Sequence, residues 1–392
     1  MRGLLNLLEI FTMLIQQFTS SLKHSEWKEL VSPTRTIHAQ LVLIFATPGM
    51  AKSESVLNFI RTKFPEAYIM GCSTSGEIAN GIIEEAGVVI TAIEFEHTKL
   101  EKHSVSLSGA ADSTRVGESL VNQFTKAGLR HILVLSEGLH INGTQLVEGM
   151  RSVLPKEVNV TGGLAGDGAD FSQTYVIDSE EGATGDRVIG LGFYGDKIKI
   201  GYGSYGGWDI FGIERLVTRA ENNVLYEIDN MPALSLYKSF LGDLANQLPA
   251  SGLLFPLSLR TNNVDEPIVR TILAVDEEKQ SLTFAGDIPE GSYVKLMKAN
   301  VDHLIDGANQ AAERSKQGFS TNIEFALLVS CVGRKLVMKQ ITEEEIEAVH
   351  DVLGKDTVLT GFYSYGEISP SKMGAPCYLH NQSMTITTFS EK

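Results

Sequence analysis

Apolar positions along this chain recur in one order: a short apolar run, a stretch with helical periodicity, a second apolar run, and a glycine-rich segment. In its first occurrence Leu41 to Phe45 reads as a strand, and a helix from about Ser53 carries Val56, Leu57, Ile60 and Phe64 on one face. Ala67 to Met70 is a second strand, and Val88 to Phe95 follows the glycines as a third. The second occurrence has strand Ile132 to Leu135, a helix from about Asn142 with Leu146, Met150, Val153 and Leu154 in phase, and strand Val158 to Thr161. The third has strand Phe325 to Val329, a helix faced by Ile346, Val349 and Leu353, and strand Val358 to Thr360. Thr342 and Glu345 are spaced as a capping box for that helix.

Strand, helix, strand at this spacing predicts right-handed crossovers between parallel strands. The expected fold is therefore α/β, with repeated strand-helix-strand units giving two packed α/β halves with mixed sheets. Residues 206–320 have a different texture: Ile268 to Ala274, Leu282 to Phe284 and Tyr293 to Met297 read as antiparallel strands, and Val301 to Arg314 as a helix. The reading divides the chain into an N-terminal extension over residues 1–36, an N-terminal domain over 37–220 and a C-terminal domain over 221–392. Met1 to Ile15 is apolar but interrupted by Asn6 and Glu9, too short to span a bilayer and without a small-x-small cleavage site. It predicts an amphipathic helix or an upstream extension, and a cytoplasmic location.

Each glycine-rich segment follows the second strand of its unit. Gly71-Cys72-Ser73-Thr74-Ser75-Gly76-Glu77-Ile78 and Gly361-Phe362-Tyr363-Ser364-Tyr365-Gly366-Glu367-Ile368 share one frame, and Gly162-Gly163-Leu164-Ala165-Gly166-Asp167 is a looser copy. Glycines there permit positive φ or close backbone approach. In parallel α/β units ligands bind at the carboxyl ends of the strands. The frames are therefore expected to floor a pocket, with Glu77, Asp167 and Glu367 facing a ligand cation. The segments Ser136 to Asn142 and Ser330 to Lys335 are expected at the same edge.

Composition narrows the function. A formal net charge of −15 over 392 residues, with no local Lys/Arg cluster, excludes nucleic acid and anionic membrane as expected partners. Three cysteines without paired spacing, Cys72, Cys331 and Cys377, read as free thiols in a reducing compartment. No frame ends in the Gly-Lys-Ser/Thr of a phosphate-binding loop.

Taken together, three N-terminal motifs and three C-terminal ones carry a family resemblance. The former are Gly71 to Ile78, Leu135-Ser-Glu-Gly-Leu-His-Ile-Asn-Gly143 and Thr161 to Gly168; the latter are Val224-Leu-Tyr-Glu-Ile-Asp229, Ser330-Cys-Val-Gly-Arg-Lys335 and Gly361 to Ile368. The chain resembles a stand-alone FIST (F-box and intracellular signal transduction) sensory protein, with FIST N and FIST C parts over about residues 38 to 390. That resemblance implies a small-ligand sensor in bacterial signalling, with amino acids or similar metabolites as ligands and output through a separate partner. Some members are implied to be haem-based nitric oxide sensors regulating a histidine kinase or a cyclic-di-GMP enzyme. A homodimer is a further expectation.

For an amino-acid ligand, Arg334 is the candidate for the carboxylate and Glu367 for the ammonium group, with a structural ion pair to a frame glutamate as the alternative for Arg334. His140 and Asn142 are candidate binding residues in the loop before the second helix, and Phe362, Tyr363 and Tyr365 candidate pocket walls. Haem b, if bound, needs one axial ligand, and His380, His140, Cys377 or Cys72 could serve; Cys377-Tyr-Leu-His380 is not a covalent attachment motif. An enzyme acting on a small metabolite would use Ser73, Ser75 or Cys72 with His140 and Asp167, although the strand-turn-helix setting of a nucleophile elbow is missing.

Overall fold

A computed structural model describes residues 13–21, 24–108, 112–261 and 266–391. The chain folds as mixed α/β with several mixed sheets, and the repeat seen in the sequence appears three times. Each unit centres on a parallel strand pair joined by a helix. Leu41–Ala46 and Tyr68–Ser73 flank Glu54–Lys63; Leu129–Ser136 and Asn159–Leu164 flank Gly143–Val153; Phe325–Cys331 and Val358–Ser364 flank Glu343–Leu353. Two antiparallel strands extend each pair on one side: Gly87–Glu94 then Leu14–Ser21, Arg187–Tyr194 then Lys99–Ser106, and Met384–Glu391 then Ile198–Tyr205; His24–Val31 adds a third in the first sheet. Leu14–Ser21 belongs to the segment set apart in the sequence as an extension; it is a full member of the first sheet, paired along its whole length with Gly87–Glu94. The expected helix over Met1 to Ile15 falls mostly outside the described residues, and Leu14 and Ile15 are strand.

The three units exchange hairpins in a closed ring. The hairpin after the first frame, Glu77–Ala79 with Ile82–Glu84, pairs with Val358–Ser364 of the third unit. The third unit's hairpin, Gly366–Pro370 with Cys377–His380, pairs with Asn159–Leu164 of the second. The second unit's hairpin, Val176–Asp178 with Gly182–Thr184, pairs with Tyr68–Ser73 of the first. Each glycine frame is thus the joint at which the chain leaves its own sheet for a neighbour's, and the loose copy at Gly162 is a joint of the same kind.

Alternate residues of the central strands face two cores. Leu41, Leu43 and Phe45 join Leu133, Leu135, Leu327, Val329, Phe362 and Phe389 in a core shared by all three sheets, where Phe45 stacks on Phe362 with ring centroids 4.7 Å apart. Val42, Ile44 and Ala46 face the first unit's helix instead. Burial on both faces explains why these strands read as continuous apolar runs.

The first glycine of each frame sits opposite a residue of its parallel neighbour: Gly71 opposite Ile44, Gly162 opposite Val134 and Gly361 opposite Leu328. A Cβ on any of the three would fall inside van der Waals contact of that neighbour's carbonyl oxygen. Gly361→Ala is therefore expected to destabilise the fold by about 1–3 kcal/mol or more through overpacking. Thermal melting checks this; an unchanged midpoint would show that the strand can move aside.

The remaining texture, from Asp209 to Lys298, is an antiparallel insert between strand Ile198–Tyr205 and helix Val301–Lys316 of the third unit. It has its own core around Val217, Leu225, Tyr237, Leu282 and Phe284. The expected strand over Ile268 to Ala274 is two strands, Ile268–Arg270 and Ile272–Asp276. Residue 220 lies at the end of the long strand Asp209–Glu221, just before the turn at Asn222.

Candidate functional site

The joints interlock by hydrogen bonds that involve most of the frame residues. Ser73 Oγ donates to the Gly166 carbonyl (2.8 Å) and accepts from the Tyr175 amide (2.9 Å), and the Gly166 amide donates to the Ser73 carbonyl. The Ser75 amide donates to the Tyr363 carbonyl and the Tyr363 amide to Gly76, both at 2.9 Å. Gly76 has φ +135°, and Lys335 of the third unit donates to the Ser75 carbonyl over this joint. Gly163 and Gly366 are enclosed by Val329 and by Leu164 and Leu379 respectively, and Cys72 is fully buried in the shared core.

The frame carboxylates turn inward rather than into a pocket. Glu77 is fully buried, accepts from Thr74 Oγ1 and leaves Oε2 without a partner. Glu367, equally buried, accepts from Ser364 Oγ (2.7 Å) and from the amide and hydroxyl of Ser383. Burial pushes both up to about 8. Asp167 accepts from the Phe171, Ser172 and Gln173 amides and from Tyr365 Oη. Burial opposes its ionisation, but these donors hold it below the usual carboxylate range.

Arg334 is likewise structural. It is fully buried, and Nη2 and Nε lie 2.8 and 3.1 Å from Glu345 Oε2, while Nη1 and Nη2 also donate to the Gly206 and Leu304 carbonyls. Glu345 further accepts from Ser330 Oγ (3.1 Å) and Tyr363 Oη (2.7 Å). The Thr342 to Glu345 capping box does not form. Thr342 has helical dihedrals and its hydroxyl donates to Lys339, because the buried guanidinium recruits Glu345 instead. The ion-pair alternative for Arg334 has the right character but a different partner, a helix glutamate rather than one from the frames.

A cavity of about 280 Å³ opens where the loop after Leu129–Ser136, the segment after Phe325–Cys331 and the insert meet. Of the candidate site residues, His140, Asn142 and Tyr365 line it, together with Leu164 of the second frame; the other frame residues and Arg334 do not. Leu139, Ile141, Phe171, Leu253 and Val332 give it apolar walls, and no Asp, Glu, Lys or Arg is among its lining. Glu137 lies behind, accepting from the Leu139 and His140 amides and contacting His140 Nδ1 at 3.2 Å, so it shapes this loop. Asn142 caps the helix Gly143–Val153 through the Gln145 amide and donates from Nδ2 to Asp287 Oδ1 of the insert (2.8 Å). Thr271 Oγ1, from the insert, is buried without a partner. Phe171 has φ +47°, a strained conformation for a bulky residue, maintained by the Asp167 contact and by stacking on Tyr365 at 4.5 Å. Thr271, Leu273 and Phe284 to Gly286 carry no motif in the sequence; only the folding of the insert brings them to the loop.

The triad weighed in the sequence is not assembled. Ser73 is engaged with Gly166 and Tyr175, Cys72 is enclosed, and Asp167 bonds the 171–173 loop while His140 contacts Glu137. Cys331 lines the cavity, but burial pushes its thiol far above the ordinary range. The haem donors fit no better. Cys72 and Cys377 sit in packed clusters, the His140 side chain is 75% exposed beside Glu137, and His380 directs Nε2 at the Ser369 carbonyl (2.8 Å). None joins an uncommitted donor to an apolar slot shaped for a flat macrocycle.

Three α/β units thus exchange hairpins around one core, with a cavity closed by an insert. The FIST N domain matches residues 40–231 and the FIST C domain residues 233–370. The chain belongs to the FIST family, whose domains are sensory and bind small ligands in signalling. It is 22% identical over 371 residues to an uncharacterized protein of Methanocaldococcus jannaschii, covering 85% of this chain and 70% of that one. A chorismatase crystal structure aligns over 97% of this chain and 99% of its own at 6% identity and a TM-score of 0.34, which says nothing about chemistry here. No helix among the described residues is long and apolar enough to cross a membrane.

Proposed function

We propose that this protein is a cytoplasmic small-ligand sensor, that the 280 Å³ cavity is its sensing site, and that a separate partner protein receives the signal. The observation that carries this is the cavity's construction: its walls come from the second unit, the third unit and the insert, which is joined to the third unit between Tyr205 and Val301. A ligand there contacts all three at once. It stabilises the arrangement in which they are closed, and a partner whose surface contact differs between arrangements reads the change.

The lining also selects the ligand. Without a charged side chain in the wall, the two charges of an amino acid would lose water without compensation. A small uncharged molecule fits better, with an apolar body and one or two polar groups for Thr271 Oγ1, Asn142 or the His140 ring. This replaces the Arg334 and Glu367 clamp expected from the sequence.

The test is a thermal-shift screen of uncharged metabolites beside zwitterionic amino acids, repeated on Leu139→Trp, which fills the cavity from one wall. A ligand at about 100 times its Kd should stabilise the native protein by about 2.7 kcal/mol, and Leu139→Trp should abolish the shift. A response confined to amino acids, or one surviving Leu139→Trp, would place sensing elsewhere.

A further inference from the structure

A second cavity, of about 550 Å³, shares no lining residue with the first. It lies between the end of strand Ile198–Tyr205, Arg314 of the helix Val301–Lys316, the insert at residues 266–269, the loop 371–376 and the turn after Cys377–His380. Its polar groups are unusual for a packed interior. Asn381 is 1% exposed, and neither its Oδ1 nor its Nδ2 has a hydrogen-bond partner; Ser204 Oγ, also in the lining, is in the same state. Buried amides and hydroxyls are almost always paired, so two such residues bordering one cavity point to a group that completes them from within it.

The turn bearing Asn381 is built rather than slack. Gln382, the next residue, has φ +59°, and its carbonyl accepts from Trp208 Nε1 at 2.8 Å. Trp208 and Tyr378 give the cavity aromatic lining. At its border Arg314 and Lys372 both contact Glu266, at 3.0 and 2.7 Å, two cations against one carboxylate. His380 adds no charge near neutral pH, because burial pushes it down to about 4 despite the hydrogen bond of its Nε2 with the Ser369 carbonyl.

We propose that this cavity is a second ligand site, taking a flat heterocycle with a lactam edge whose N–H and C=O pair with the Asn381 amide. A carboxamide presents an acceptor beside a donor, and an N–H next to a C=O is its complement. Asparagine reads a base edge in nucleic-acid recognition through the same pairing of donor and acceptor. The aromatic lining suits a flat ring, and the excess positive charge at the border accepts a singly anionic form as well as a neutral one.

Hypoxanthine is the probe, titrated calorimetrically into the full chain, with 1-methylhypoxanthine, which lacks the lactam N–H, as its comparison. Hypoxanthine is expected to bind with a Kd below about 1 mM, and the methylated compound about tenfold more weakly or worse. Asn381→Leu should weaken hypoxanthine by about tenfold or more without lowering Tm, because it removes an amide that has no partner in the ligand-free protein. Ala375→Trp, on the bordering loop, should do the same by filling the space, while Leu139→Trp in the first cavity leaves the titration unchanged. No heat at about 1 mM hypoxanthine, equal affinity for the methylated compound, or binding indifferent to both Asn381→Leu and Ala375→Trp would overturn the proposal.

Discussion

Arg334→Met is expected to destabilise the protein by about 3–5 kcal/mol, the cost of leaving a fully buried carboxylate without its cation. Both side chains of the Arg334 and Glu345 pair have no exposed surface, and their nearest approach is 2.8 Å. Glu345 also holds Ser330 and Tyr363, and Arg334 also holds the carbonyls of Gly206 and Leu304. The pair therefore ties the third unit's crossover helix to its frame, to the start of the insert and to the helix Val301–Lys316. Glu345→Leu alone should cost a similar amount, because it strands the guanidinium. The double variant should lie closer to wild type than the sum of the singles, by about 2 kcal/mol or more, although the two carbonyls remain without their donor. Urea midpoints of the four proteins decide it, and strictly additive losses would show that the two side chains do not act as a unit.

Raising the pH from about 5 to 9 should destabilise the protein, and Glu77→Gln should remove a large part of that loss. Burial lifts Glu77 and Glu367 from about 4.5 to about 8, against the lowering effects of Thr74 and Lys335 on the former and of Ser364, Ser383 and Arg334 on the latter. A raised folded-state value means that, between these two limits, the native protein holds more protons than the unfolded chain. Stability from these groups is thus complete below about pH 4.5 and lost as the pH climbs through about 8. At about 1.36 kcal/mol per pH unit, the loss is on the order of 5 kcal/mol per glutamate at most. Glu77 is the case to test, since burial outweighs Thr74, Lys335 and the Gly87 amide there and its Oε2 makes no close hydrogen bond. Gln keeps the acceptor for Thr74 and cannot ionise, so the variant should show a flatter profile and exceed wild type at pH 9. Parallel profiles for variant and wild type would mean that Glu77 does not change charge in this window.

These two glutamates also show how the family's motif works in three dimensions. At the two complete frames a hydroxyl, Thr74 or Ser364, lies three residues before the glutamate and donates to it. The second frame has Ala165 and Gly168 at the matching positions, with neither hydroxyl nor carboxylate. Asp167 there organises the 171–173 loop, and with it the strained Phe171 at the cavity wall. The degenerate copy of the joint thus borders the candidate sensing site through Leu164 and Phe171, facing Tyr365 of a complete frame.

The sequence by itself determined the three strand-helix-strand units, because each is local: an apolar run buried on both faces, a helix with one apolar face, and a glycine where two parallel backbones come closest. It also placed His140 and Asn142 at the carboxyl end of their sheet, since a loop after a parallel strand has nowhere else to go. Only the tertiary structure decided where the hairpins pair, because Glu77–Ala79 meets Val358–Ser364 across almost the whole chain and neither strand encodes its partner. It decided as well that Glu77, Glu367 and Arg334 are interior. A carboxylate or guanidinium looks the same in sequence whether it faces a ligand or a buried partner, and what distinguishes them is desolvation by distant segments. For the same reason the cavity walls from Thr271 and Phe284 to Gly286 were illegible. Their role depends on the insert folding back onto a loop more than a hundred residues earlier in the chain.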